Sequence, residues 1–182
     1  REVQAIHQYP RRSADAERRA QAPDGDRATL GQQESSILTV HLQPPEPLTA
    51  SHRLDLFECG EELLDEWLER RALGNQATGA SRTFVVCEAD ARVRGWRCRA
   101  AGAGARETAG GEVRRDMPGP VPVMVLGRLA VDRETQGLHL GAALRQDTMK
   151  RAVTVSENAG VGAMLVHALH EHAKRFYEHC GF

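Results

Sequence analysis

One stretch of the sequence could bind an anion through its backbone. The segment VLGRLAVDRETQGLHLGAAL, residues 125–144, is typical of a strand that enters a turn from which a helix begins. The first N–H groups of a helix have no partner within the helix and lie at the positive end of its dipole. Small residues in the turn let an anion approach these groups. The sequence therefore indicates a phosphate or pyrophosphate site, although glycine also occurs in such turns for geometry alone.

A second stretch, AKRFYEHCGF, could donate a proton from a phenol. Tyr177 lies in a predicted helix, with Ala173, Phe176 and Cys180 at the spacing of one apolar face. By this spacing alone, packing is the favoured role for Tyr177. The alternative is that its hydroxyl acts as a general acid.

Composition narrows the class of protein. The chain has 182 residues, of which 41% are hydrophobic and 4% aromatic, enough for one domain and a tail. A net charge of −1 gives no overall attraction to nucleic acid or to a membrane. Residues 81–133 nevertheless hold ten arginines against six acidic residues, typical either of a solvated face or of contact with phosphates. No apolar run reaches the roughly 20 residues of a membrane helix.

Cysteine and histidine spacing gives no sign of a metal or of disulfides. The cysteines form no C-x-x-C pair and no signal peptide is visible, which favours free thiols in the cytoplasm. The histidines near the end of the chain match no familiar zinc spacing, so no metal site is expected. These residues are Cys59, Cys87, Cys98 and Cys180, and His167, His170, His172 and His179.

The elements that must position these residues follow from periodicity. Residues 1–43 are polar and lack a sustained period, so we predict a disordered or non-native tail before a domain at 44–182. The strand at residues 121–131 is apolar on both faces and is therefore predicted to be central. The order of elements predicts an α/β protein with a mixed sheet. The other predicted elements are helices at 59–76 and 138–158, strands at 83–87, 96–101 and 162–169, a turn at 92–95, and a last helix that ends at Gly181.

These segments together resemble a known family. The run QGLHLG resembles the acetyl-CoA signature of the GNAT N-acetyltransferases, and the likeness extends over about residues 44–182. FECGEELLDEWLERRALGNQATGASRTFVV, RRDMPGPVPVMVLGRLAVDR, GVGAMLVHAL and AKRFYEHCGF resemble the GNAT toxins of type II toxin–antitoxin modules. The resemblance implies a toxin that acetylates the α-amine of aminoacyl-tRNA and forms a homodimer. It also implies that a ribbon-helix-helix antitoxin silences the toxin.

The resemblance also implies roles for individual residues. Tyr177 would protonate the departing CoA thiolate, which suits the chemistry because a thiol leaving group near pKa 8.5 needs only one donor. No metal is implied. Acetyl-CoA would contact the strand end and the turn, at Leu129, Val131, Gln136, Gly137, Leu138, His139, Leu140 and Gly141. Phosphates of tRNA would meet Arg82, Arg114 and Arg115.

Three features depart from the family pattern. His139 replaces a glycine, which predicts poorer acetyl-CoA binding, although the imidazole could instead donate to the phosphate. Arg97 and Arg99 replace apolar residues, and an unpaired buried charge would distort a strand. The chain ends two strands early, so we expect a truncated domain in which the strand at 162–169 is an open edge. A GNAT enzyme for another amine, and an inactive remnant that only binds an antitoxin, therefore remain alternatives.

Overall fold

The computed structural model describes residues 3–8, 41–104, 121–161 and 163–179. Residues 1–9 and 41–182 belong to one unit and residues 10–40 to a second, which lies outside the described residues. The described residues form three α-helices, a short 3-10 helix at Arg133–Thr135, and six strands. The helices are α1 (Glu62–Thr78), α2 (Leu140–Ala159) and α3 (Glu171–His179). The strands are β1 (Val3–Gln8), β2 (Glu46–Pro47), β3 (Arg82–Cys87), β4 (Val93–Gly104), β5 (Val121–Val131) and β6 (Ala163–Ala168).

The strands form one mixed sheet in the order β1-β6-β5-β4-β3-β2. Only β5 and β6 run parallel, and every other neighbouring pair is antiparallel. The α/β fold with a central β5 is therefore confirmed, and β5 has the predicted bounds. Within the described residues, no helix is long and apolar enough to cross a membrane.

The two faces of the sheet carry different helices. Leu68 and Ala72 of α1 pack on one face, against Trp96 of β4 and Ala130 of β5. On the other face, α2 and α3 cover β5 and β6. The sheet is thus a middle layer, and a side chain of β5 reaches either α1 or the α2–α3 side according to its position along the strand.

A bulge at Gly127 interrupts this alternation in β5. Leu126 lies opposite Arg99, whereas Arg128 lies opposite Cys98, so Gly127 has no residue of its own on β4. The extra residue lets both Leu126 and Leu129 face the α2–α3 side. Arg128 and Ala130 face α1 instead. The bulge therefore decides which side chains of the strand end meet each helix.

The predicted tail contains a strand that the sequence did not indicate. Residues Val3–Gln8 form β1 and pair antiparallel with all six residues of β6. The expectation of a structureless start to the chain is wrong for these six residues, and β6 is not an open edge. The pairing depends on backbone hydrogen bonds, which require no apolar period in the strand that supplies them.

Strand β4 is also longer than predicted, over Val93–Gly104. It runs from Val93, inside the turn expected at residues 92–95. Arg97 is fully buried, yet it does not distort the strand, because Asp147 of α2 forms an ion pair with its guanidinium. The guanidinium carbon also lies 4.5 Å from the ring centroid of Phe84. Burial lowers the pKa of Arg97, and the Asp147 carboxylate opposes that effect.

Candidate active site

A wedge opens in the sheet where β5 and β6 separate. The two strands pair only from Val123 to Leu126 on β5, and β5 continues for five further residues. A cavity of about 1320 Å³ lies there. On the α1 face it is lined by Leu64 and Trp67, and on the opposite face by the first residues of α2. The cavity therefore reaches both faces of the sheet beside a stretch of β5 backbone that does not pair with β6.

The turn before α2 forms one wall of the cavity. We call residues 132–139 the entry turn. Gly137 has φ 81° and His139 has φ 59°, both in the left-handed region, and α2 begins at the next residue, Leu140. The first N–H groups of α2 lack partners within the helix, since the earliest carbonyl they could use belongs to this turn. An anion in the cavity could accept hydrogen bonds from them.

Seven of the eight residues predicted to contact acetyl-CoA line this cavity. Leu138 does not line it and is 57% exposed. The residues that line it are Leu129, Val131, Gln136, Gly137, His139, Leu140 and Gly141.

A buried ion pair, which sequence reasoning missed, fixes the entry turn. Asp132 is 2% exposed and accepts hydrogen bonds from Arg94 of β4 (3.0 Å) and from the backbone N–H of Glu134 (3.1 Å). Burial alone would lower the pKa of Arg94, but Glu134, Glu88 and Asp132 outweigh burial and raise it. The signal in the sequence was an aspartate placed directly after a buried strand.

Gln136 closes the same turn from its other side. Its side-chain amide donates to the carbonyl of Val131 (3.0 Å) and to the carbonyl of Cys59 (2.9 Å). The entry turn is thereby tied both to β5 and to the segment before α1. Such ties preorganise the backbone donors at the start of α2.

Tyr177 lies on the cavity wall and is also packed. It is 7% exposed and belongs to the apolar cluster that includes Met164 and Val166 of β6. Its ring meets Phe176 edge-on at 5.2 Å between centroids. Packing and access to the cavity are thus compatible. Cys180 and Gly181, which the sequence placed at the end of the same helix, lie outside the described residues.

Cys59 lines the cavity but is not a ready nucleophile. Burial, assisted by the neighbouring Asp65, raises the pKa of the Cys59 thiol to about 12. The thiol is therefore protonated near neutral pH, and it is the thiolate that reacts. The cavity suits direct transfer between two bound reactants better than a covalent cysteine intermediate.

One guanidinium in the cavity was also missed by sequence reasoning. Arg128 lines the cavity, and its guanidinium carbon lies 4.4 Å from the ring centroid of Trp67. Trp67 in turn stacks on Trp96, with centroids 5.2 Å apart and an interplanar angle of 11°. The bulge at Gly127 directs Arg128 toward α1, and such a bulge cannot be predicted from the periodicity of the sequence.

Of the three arginines predicted to meet tRNA, the structure describes Arg82 alone. Arg82 is exposed, donates to the backbone carbonyl of Gln76 (2.7 Å), and does not line the cavity. Arg114 and Arg115 lie outside the described residues. Their contact with nucleic acid stays a prediction.

A small cluster that could ligate a metal lies outside the cavity lining. Donor atoms of Glu46, His52 and Cys87 all lie within 4.8 Å of one another. The imidazole Nε2 of His52 is 3.1 Å from the Glu46 carboxylate, so these two groups are already partners. Burial raises the pKa of the Cys87 thiol to about 12, and Glu46 and Asp90 add to that effect. The thiol would have to lose its proton before it could bind a metal.

Comparison with known proteins identifies the family. Residues 48–182 match the model of the Acetyltransferase (GNAT) family. The chain is 46% identical over 138 residues to the tRNA-acetylating toxin of Mycobacterium tuberculosis. The aligned region covers 76% of this chain and 82% of that protein.

Solved structures give the same result. AtaT complexed with acetyl-methionyl-tRNAfMet has a TM-score of 0.73 at 29% identity, over 78% of this chain and 86% of that one. A tyrosine-to-phenylalanine mutant of the AtaT toxin, bound to the C-terminus of the antitoxin AtaR and acetyl-CoA, has a TM-score of 0.67 at 29% identity. That match covers 78% of this chain and 84% of the other. The chain belongs to the GNAT family of acetyltransferases.

Proposed function

We propose that the protein is a toxin that transfers acetyl from acetyl-CoA to the α-amine of an aminoacyl-tRNA. The observation that carries this proposal is the cavity that reaches both faces of the sheet where β5 and β6 separate. Such a cavity can hold a thioester from one face and an amine from the other. The 46% identity to a tRNA-acetylating toxin supports aminoacyl-tRNA as the acceptor.

Acetyl-CoA would enter beside the entry turn. The first backbone N–H groups of α2, from Leu140 and Gly141, would bind the pyrophosphate. The backbone of Leu129 and Val131, which has no β6 partner, would pair with the amides of the pantetheine arm. This placement would set the thioester in the wedge, near Tyr177.

The transfer would need no covalent enzyme intermediate. The amine nitrogen attacks the thioester carbonyl, a C–N bond forms, and the C–S bond breaks with its electron pair on sulfur. Tyr177 would give its phenolic proton to that sulfur, the amine would release a proton to solvent, and the phenolate would recover a proton from solvent. The raised pKa of Cys59 supports direct attack, because the cavity then contains no ready thiolate at that residue.

The partners would follow from this activity. We propose a cytoplasmic homodimer that is silenced by an antitoxin of the ribbon-helix-helix type. The AtaT structure with its antitoxin AtaR supports a protein partner. Co-purification with the product of a neighbouring antitoxin gene, followed by measurement of the mass of the complex, would test both the partner and the dimer.

The experiment is acetylation of a charged tRNA pool with labelled acetyl-CoA, with the parent protein and Tyr177→Phe. We expect the parent to label aminoacyl-tRNA. In single-turnover measurements, the variant should be slower by about 10²–10⁴-fold, the usual contribution of a general acid. Its acetyl-CoA affinity should stay within a few-fold of the parent, because phenylalanine keeps the packing of the ring.

Two results would contradict the proposal. A Tyr177→Phe rate within tenfold of the parent would remove Tyr177 from the mechanism. Labelling of other amines but of no aminoacyl-tRNA would make the protein an acetyltransferase with a different acceptor.

A further inference from the structure

We propose that Arg128 binds a backbone phosphate at the 3′ end of the acceptor tRNA. This inference rests on the proposed function. It names a specific contact on the α1 side of the cavity, at a residue that the sequence did not single out.

The fold places Arg128 on the side away from the acetyl-CoA turn. The first residues of α2 pack on one face of the sheet, together with Leu129 and Val131. Because of the bulge at Gly127, Arg128 projects to the other face, where it meets Trp67 of α1. A ligand that enters the cavity from the α1 face and contacts Arg128 is therefore the second reactant, the acceptor.

Two stacked indoles hold this guanidinium at the cavity wall. Trp96 is fully buried in β4, Trp67 stacks on it, and Arg128 lies over Trp67. A cation over an aromatic ring gains electrostatic attraction without losing its charge or its hydrogen-bond donors. The side chain is thus positioned in advance while its donors remain available to a ligand, which reduces the entropy lost on binding.

The charge of Arg128 is not neutralised within the described residues. The two acidic residues in the described lining of the cavity have other partners: Glu66 pairs with Arg70 (3.4 Å) and Glu61 with His170 (3.2 Å). No carboxylate of the described part of the chain lies within ion-pair distance of Arg128. A guanidinium that faces a cavity without a carboxylate partner matches a phosphate, whose oxygens its planar fork can bind in pairs.

The test compares Arg128→Gln with Arg53→Gln, a charge-matched control. Arg53 is exposed, pairs with Asp90, and does not line the cavity. The probes are uncharged tRNA for binding, and aminoacyl-tRNA and an amino-acid methyl ester for kinetics. Both acceptors carry an α-amine on an esterified amino acid, but only the tRNA has phosphates.

We expect Arg128→Gln to weaken tRNA binding about tenfold and to raise the KM for aminoacyl-tRNA similarly, since one charge-assisted contact is lost. The salt dependence of log Kd should fall by about 0.7, the value for one phosphate contact on a single strand. Activity on the methyl ester and the affinity for acetyl-CoA should stay unchanged. Trp67→Leu should give a smaller loss of the same kind, and Arg53→Gln none.

Each other outcome overturns either the inference or the proposed function, and the results distinguish the two. Unchanged tRNA binding and salt slope would show that Arg128 contacts no phosphate. Equal losses on tRNA and methyl ester would make Arg128 a structural residue, and a loss of acetyl-CoA affinity would place it on the other reactant. If tRNA binds through Arg128 but is never acetylated, the proposed function fails while the contact stands.

Discussion

His139 occupies a backbone conformation that side chains rarely adopt. Its φ of 59° places it in the left-handed region, directly before the first residue of α2. A residue with a Cβ pays about 1–2 kcal/mol there, which glycine avoids. The sequence predicted that the ring obstructs the phosphate site. The structure shows backbone strain at His139 as well, directly before the first N–H groups of α2.

We expect His139→Gly to tighten acetyl-CoA binding several-fold, because the ring no longer stands at the phosphate site. The same substitution should raise the melting temperature, because the backbone strain is removed. His139→Ala is the matched control, since it removes the ring and keeps the strained φ. Calorimetric titration of the three proteins separates the two effects. Weaker binding by both variants would instead identify the imidazole as a phosphate ligand.

At the scale of elements, α2 is attached to β4 by charge as well as by apolar packing. Arg97 is fully buried and pairs with Asp147, which also accepts from Arg151 at 3.0 Å. Among the residues that the structure describes, the Nε and Nη1 atoms of Arg97 have no hydrogen-bond partner. The ion pair is therefore the main compensation for a charge that has lost its water.

Asp147→Asn should lower the free energy of unfolding by about 3–5 kcal/mol, because it leaves the buried Arg97 charge unpaired. Arg151→Gln, which removes the more exposed partner of Asp147, should cost less than about 1 kcal/mol. Urea denaturation measures both. In the double variant Arg97→Met with Asp147→Asn, much of the loss should be recovered. Equal stability of Asp147→Asn and the parent would show that Arg97 does not depend on this partner.

Sequence reasoning found the elements whose own residues determine them. Strand β5 is apolar on both faces, and α2 ends before Gly160, whose φ of 64° suits a helix stop. It could not find features that depend on a distant partner. Arg97 looked disruptive because Asp147 lies 50 residues away, and Arg128 looked ordinary because only the bulge at Gly127 turns it toward Trp67.

At the scale of the whole molecule, the strand order gives the start of the chain a structural role, because β1 pairs with β6 at the edge of the sheet. Without β1, strand β6 would expose a row of backbone donors and acceptors along an apolar strand, the arrangement that promotes aggregation. Ala163, Met164 and Val166 of β6 are fully buried, so this strand belongs to the core. Residues Val3–Gln8 cover that edge by six paired positions.

Deletion of residues 1–8 should therefore lower the melting temperature and produce aggregation that increases with protein concentration. The matched control replaces the same residues with a glycine–serine segment of equal length, which keeps the chain length but weakens strand pairing. Both variants should behave alike, because the loss comes from the exposed β6 edge and not from a shorter chain. Thermal melts and size-exclusion chromatography at several concentrations measure this. A monomeric deletion variant with the melting temperature of the parent would show that β1 contributes nothing to the protection of β6.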